Sequence, residues 1–391
     1  MAVATTPSPA LAHTDGGEAS GFVPVQTRSE RFTSVNHADF PEVTGLELDW
    51  RLTPVSAVRA LIDGELDGSR YEFASDAPAG ISTEWVARED ARIGSAGIPE
   101  DRASANAWSS FGEALAVELT SEEHVQAVLH RSNLGAAPRA AHTVITARPN
   151  SRATLVLHST GPAALAENVE IVVEPGASLT VVSVQDWDDE AQHLASHFAR
   201  VGRGAHLKHI VVSFGGAVVR VNPTVHLSGE GADGELYGLY FADAGQHLEQ
   251  RVYLHHEGPS TRGRVDYKGA LQGQGARTVW VGDVLIGREA SGTDSYEQNR
   301  NLVLTEGTRA DSIPNLEIET GDIAGAGHAS ATGRFDDEQL FYLQSRGIPE
   351  DEARRLVVIG FLSDIVQKIG HEATEQRLSE LIEAEIGREN R

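Results

Sequence analysis

The sequence predicts a mainly β protein: a parallel β-helix core, a mixed α/β N-terminal cap before it and a helical C-terminal domain after it. Three observations carry this. Short apolar-alternating strands recur between about residues 116 and 332, parted by Gly, Asn, Pro and Asp turns. The turns resemble one another at coil-like spacing. Beyond residue 336, alternation gives way to apolar residues three and four apart, as a helix requires.

Composition bounds the rest. The chain has 391 residues and 40% hydrophobic content, ample for a buried interior, and a formal net charge of −25. That charge argues against nucleic acid, whose backbone demands clustered Lys and Arg, and against anionic membrane surfaces. Cysteine is absent, which excludes a disulfide framework, a thiolate nucleophile and any Cys-ligated metal site formed by this chain alone. No run of 18 apolar residues occurs, and the first residues carry neither a basic region nor an apolar one of the secretory type. A cytoplasmic protein is expected.

Residues 1–20, rich in Ala, Thr, Pro and Gly, read as a disordered tail. Residues 21–115 form the mixed cap, with a short helix starting at Pro54, a strand at Glu84-Trp85-Val86 and a helix over Asp101–Leu115. Residues 116–333 form the β-helix. There Gly176-Ala177 recurs as Gly204-Ala205 after 28 residues, as Gly231-Ala232 after 27 more, and again at Gly275-Ala276. One coil cannot cover its own apolar face, so each buries it against the next. A β-sandwich also suits regular short strands, but the repeated turn favours the solenoid. The open ends of a β-helix need covering, and the cap at one end with helices at the other would supply it.

Residues 334–391 read as helices. Asp336 or Asp337 suits an N-cap, Gly347 a helix end and Pro349 the next start. The second helix carries Leu356, Val357, Val358, Ile359, Phe361, Leu362, Ile365, Val366 and Ile369, more apolar surface than a simple surface helix needs. Packing of the three helices on one another accounts for part of it; a partner surface would account for the surplus.

Motifs for independent catalysis are missing: there is no phosphate loop, no nucleophile elbow and no H-E-x-x-H. Among histidines, His193 and His197 have helix-type spacing beside Asp188, Asp189 and Glu190, a weak metal-compatible pattern. His206 and His209 face opposite sides of a strand. So do His255 and His256, which therefore do not share one metal. His328, set between Gly325-Ala326-Gly327 and Ala329-Ser330-Ala331, has small neighbours that leave its imidazole accessible. Tyr267-Lys268-Gly269 and Tyr296 to Asn301 read as structural polar strands with Asn and Gln ladders.

Ala310-Asp311-Ser312-Ile313-Pro314-Asn315-Leu316-Glu317-Ile318, then Gly327-His328-Ala329, then the run from Gly333 to Ile348 strongly resemble the SufB/SufD family of iron–sulfur cluster assembly scaffolds. Pro259-Ser260-Thr261, Thr293 to Asn299 and Asp49-Trp50-Arg51 with Thr53-Pro54 fit the same pattern. The length, the cap before the repeats and the lack of cysteine resemble SufD more than SufB. The resemblance implies a right-handed parallel β-helix and a scaffold subunit that is not an enzyme. It implies pairing with a SufB-like subunit, with a homodimer also allowed, and C-terminal helices that dock a SufC-like ABC ATPase. Phe341, Tyr342, Arg346, Leu356, Ile359 and Phe361 are the candidate docking residues.

By the same resemblance His328 is the candidate interface residue and metal or cluster ligand, beside a SufB cysteine where a transient cluster forms. Some relatives have a cysteine two residues earlier; here Ala326 stands there, so no thiolate of this chain takes part. The rival readings are a β-helix that binds polysaccharide, which wants aromatic rows along the coils, and a lyase-type enzyme. For the lyase, Arg264, Asp266 and Lys268 alternate suitably.

Overall fold

In the computed structural model, residues 31–132, 134–334 and 337–388 are described. The expected tail over residues 1–20 and the N-cap at Asp336 lie outside these. In chain order the strands are β1 (Ala74–Ser75), β2 (Ile81–Ala87), β3 (Glu113–Leu119), β4 (Val125–Arg131), β5 (Gly135–Ala147), β6 (Arg152–Gly161), β7 (Ala163–Val173), β8 (Ser178–Trp187), β9 (Gln192–Val201), β10 (His206–Phe214), β11 (Val218–Leu227), β12 (Asp233–Ala242), β13 (His247–His256), β14 (Arg262–Leu271), β15 (Arg277–Ile286), β16 (Thr293–Val303), β17 (Arg309–Ile318) and β18 (Ile323–Arg334). The helices are α1 (Arg59–Asp63), α2 (Arg102–Ser110), α3 (Asp337–Ser345), α4 (Glu350–Val366) and α5 (Glu372–Arg388).

From β3 onward, successive strands alternate between two nine-stranded sheets. One runs β2-β3-β5-β7-β9-β11-β13-β15-β17, the other β1-β4-β6-β8-β10-β12-β14-β16-β18. All neighbours from β3 onward pair in parallel, as a β-solenoid requires, while β1 and β2 add antiparallel to the first coil. The repeated Gly-Ala turn explains the register. Gly176, Gly204 and Gly231 adopt φ of 73°, 59° and 67°, a region that disfavours other residues. Each donates its N–H to the next coil, at Arg203, Glu230 and Pro259. The alanine that follows each, Ala177, Ala205 and Ala232, is buried in the lumen.

Inward-facing residues of both sheets, among them Leu155, Ile171, Leu207, Val225, Leu254 and Trp280, fill that lumen. It also holds charge. Arg131 donates to both oxygens of Glu167 at 2.6 and 3.0 Å, and His193 Nε2 meets Glu167 at 2.8 Å. Trp187 Nε1–H donates to His193 Nδ1, so the neutral ring carries its proton on Nε2 and gives it to Glu167. The helical spacing of His193 and His197 is thus a strand spacing: positions four apart on β9 share the inner face. Their acidic neighbours Asp188 to Glu190 lie in the preceding turn. His197 pairs instead with His209 across the lumen at 2.9 Å.

The helix expected over Asp101–Leu115 is shorter. Asp101 is its N-cap, accepting from Ser104 N–H, rather than its first residue, and Phe111 leaves the helix while Leu115 belongs to β3. The helix near Pro54 begins later, at Arg59.

The C-terminal helices lie along a side of the solenoid rather than over its end. The cap does close the first coil, where β1 and β2 pair with its edge strands and Tyr71, Ile81, Phe73 and Trp85 pack on the lumen. The rest of the cap lies on the outer face of the β3–β17 sheet. There Glu170 accepts from the Gly94 and Ala96 amides, Arg220 stacks on Trp50 at 3.8 Å and Thr53 donates to Glu249. The C-terminal helices do not simply pack on one another. Val358, Leu362, Ile365 and Val366 of α4, and Leu378 and Ile382 of α5, bury against Val182, Ile210, Val212, Tyr237, Leu239 and Phe241 on the outer face of the β4–β18 sheet. That face is apolar on alternate residues and would otherwise meet water, so burying it outweighs capping the end.

Candidate functional site

Because the helices lie alongside, the last coil stays open. β17 and β18 are the terminal strands of their sheets, and among the described residues nothing pairs with their outer edges. On β18 the positions that register with lumen-facing β16 residues are Ala326, His328, Ser330 and Thr332, opposite Ser295, Glu297, Asn299 and Asn301. In earlier coils such positions are buried; here all four are exposed. Ser330 and Ser312 Oγ atoms meet at 2.8 Å and tie the two terminal strands together across the mouth.

His328 therefore faces the lumen axis, and its side chain remains 46% exposed. Its Nδ1 lies 3.7 Å from Oε1 of Glu297, whose side chain is 0% exposed. Burial, reinforced by the charge of Asp283, pushes the Glu297 carboxyl up to about 8, so at neutral pH it is an uncharged acid. The Asn315 amide opposes this, but without hydrogen-bond geometry: neither Glu297 oxygen has a hydrogen-bond partner. Gly282 makes room for the group, since a Cβ there would come within 2.3 Å of both Oε2 and the Trp280 ring.

Sequence reasoning placed Glu297 in a structural ladder and missed this pairing. The signal was its parity, an acid at an inward position between Ser295 and Asn299. The ladder itself is present deeper in: Asn301 donates to Asn299 at 2.7 Å, and Tyr240 donates to Asn301 at 2.9 Å. Ala326 lies on the same face as His328, two positions before it.

The mouth offers one imidazole, one protonated carboxyl and no thiolate. That set does not hold an iron–sulfur cluster by itself, because such clusters take four ligands, mostly thiolate. It fits one side of a shared site. The imidazole can accept a proton or bind iron, and the carboxyl can donate a proton or, once ionised, bind beside it.

The six candidate docking residues divide. Phe341, Tyr342, Arg346 and Leu356 are exposed, and Arg346 supports Tyr342 by a 2.7 Å hydrogen bond and by lying over its ring. Ile359 and Phe361 are half buried against the core beneath α4, so they help attach the helix. Lys268, of the lyase-type cluster, is 4% exposed and donates to Asp364 and to the Phe361 carbonyl of α4. Arg264 is paired with Asp294 and Asp266 with Arg300. Tyr237 and Phe241 lie under the helices, so no aromatic row faces a glycan there. No described helix is long and apolar enough to cross a membrane.

Comparison with known proteins agrees with the resemblance. Residues 130–361 match the family model described as SUF system FeS cluster assembly, SufBD core domain. Relatives named iron–sulfur cluster assembly SufBD family protein are 47% identical in Mycobacterium bovis over 370 residues, covering 92% of this chain and 93% of theirs. A Mycobacterium leprae relative is 47% identical over 365 residues, covering 91% and 93%. A second M. leprae protein of that family description is 33% identical over 218 residues, which is 56% of this chain but 25% of the relative. The chain belongs to the SufBD family of iron–sulfur cluster assembly proteins.

Proposed function

We propose that this chain is a SufD-like, non-catalytic scaffold subunit that meets a SufB-like partner at the open last coil and carries a SufC-like ATPase on its C-terminal helices. The observation that supports it best is the uncapped mouth, where His328 sits beside a buried, unpartnered Glu297 on the terminal strands. A chain without cysteine supplies the imidazole side of a shared site, and thiolates come from the partner; the cluster is cargo. The sequence has no phosphate loop of its own, so ATP hydrolysis belongs to the docked subunit.

In this reading, ATPase dimerisation moves α3 to α5, and the rigid sheet passes the motion to the mouth. The contacts for it lie in one register row: Lys268 on β14 holds α4, pairs with Arg300 on β16, and that residue pairs with Ala331 on β18. Phe341, Tyr342, Arg346 and Leu356 form the docking face.

Co-expression of the tagged full chain with SufB-like and SufC-like proteins of the same organism, with stoichiometry after size exclusion, tests this reading. The comparison is the chain cut at Gly333. Retention of the ATPase by the full chain and loss on truncation supports it; a full chain that retains neither protein overturns it. Elution of the chain alone as a symmetric pair would favour the homodimer.

A further inference from the structure

A second group of ligand-bearing side chains lies away from the mouth, on the outer face of the β3–β17 sheet. His226 on β11 and His255 on β13 are register partners in parallel strands, so their side chains leave the same face, with ring centroids 5.4 Å apart. Glu257 follows β13, and its Oε1 lies 2.8 Å from His226 Nδ1 and 3.5 Å from His255 Nδ1. The three donor atoms all fall within 4.8 Å of one another. Ligands bound at the usual ~2.0–2.1 Å around a tetrahedral ion stand about 3.3 Å apart, so only small side-chain shifts separate this arrangement from a bound one.

From this geometry we infer that His226, His255 and Glu257 form a binding site for a borderline-soft divalent transition-metal ion, such as Zn2+ or Fe2+, with open positions left to water. Two imidazoles and one carboxylate are the ligand set such ions take when coordination is left incomplete. The surroundings support it. Side-chain exposures of 22%, 23% and 30% leave an entry path from solvent. Arg200 Nη1 approaches the other carboxylate oxygen, Oε2, at 3.9 Å, which leaves Oε1 turned to the imidazoles. Tyr253, on the same face of β13, packs against both rings, and Arg31 covers it at 3.8 Å.

Without a metal, Oε1 accepts from His226 Nδ1–H at 2.8 Å, and a bound ion takes the place of that hydrogen bond as the ring carries its proton on Nε2 instead. The site is independent of the reading of the open mouth.

The test is titration of the chelator-treated full chain with Co2+, followed by visible absorption, with Zn2+ as competitor. One equivalent per chain is expected, with d–d bands that Zn2+ abolishes. His226→Asn, His255→Gln and Glu257→Gln should each weaken binding at least tenfold, whereas His328→Ala should leave it unchanged. Circular dichroism confirms that each variant is folded, and His226→Ala and His255→Ala replace a variant that is not. No saturable binding at micromolar Co2+, or binding that the three substitutions do not weaken, means an adventitious ion only and overturns the site.

Discussion

Glu297 and His328 are register partners on adjacent strands, with Oε1 and Nδ1 3.7 Å apart, one side chain sealed in the lumen and the other open to solvent. The pair exists because the coil ends there. One more coil would bury His328 as His193 and His209 are buried, and would leave Glu297 out of reach of any partner protein.

Glu297 makes the folded chain sensitive to pH. Its folded value of about 8 lies above the ordinary carboxyl value of 4.5, so the native state keeps a proton that the unfolded state releases. Stability therefore falls as pH rises from about 4.5 to about 8 and levels off beyond. Glu297→Gln should remove this component, so urea denaturation at pH 5 and pH 8 should show the variant gaining on the wild type at the higher pH. The slope is at most ~1.4 kcal/mol per pH unit. Parallel pH profiles would refute the shift.

His328→Ala should leave stability within ~0.5 kcal/mol, because the side chain is half exposed and its nearest partner is uncharged at neutral pH. Cluster maturation in cells should nonetheless be lost, with the complex intact by size exclusion. Normal maturation would remove His328 from the mechanism.

Gly282→Ala tests the room made for Glu297. The added methyl meets Oε2 and the Trp280 ring at 2.3 Å, and overpacking of this kind costs ~1–3 kcal/mol. Thermal denaturation should show part of the loss restored in the Gly282→Ala, Glu297→Ala double variant. Equal losses in the single and double variants would mean that Trp280 alone carries the clash.

Glu167 behaves in the opposite sense to Glu297. Burial opposes its ionisation, but the Arg131 charge and the bonds from His193 and Arg131 overcome it and hold the carboxyl well below its ordinary value. Its stabilisation is present above about pH 4.5 and is lost as pH falls towards its folded value. Glu167→Ala strands Arg131 in the lumen and should cost ~3–5 kcal/mol at pH 7, with the gap to wild type narrowing in acid. Chemical denaturation at the two pH values measures both.

Lys268→Met should loosen the C-terminal helices. It removes the donor to Asp364 and to the Phe361 carbonyl while keeping the buried stem, at a cost of ~1–3 kcal/mol. Hydrogen exchange should rise in α4 and α5 and stay unchanged in β5 to β11. Unchanged exchange in the helices would show that the apolar contacts alone hold them.

Much of this was legible in the sequence. The repeated Gly-Ala turn reports a coil because the glycine needs positive φ and the alanine has room only for a methyl in the lumen. His328 stood out by its small neighbours and by the resemblance. Periodicity could mislead as well: four residues apart is one helical face and also one strand face, which is how His193 and His197 pointed to a helix.

The solenoid, the family and the lack of any thiolate ligand follow from local turn chemistry, strand alternation and composition, and so could be read from the chain alone. Where the helices lie, and so which end of the coil stays open, was settled by packing between distant segments. That choice depends on the summed apolar area of an outer sheet face, assembled from strands about 27 to 29 residues apart in sequence, as in Ser178, His206, Asp233 and Arg262. The same stacking brings Glu297 to His328 and His226 to His255 and Glu257, pairings between coils that no local window contains.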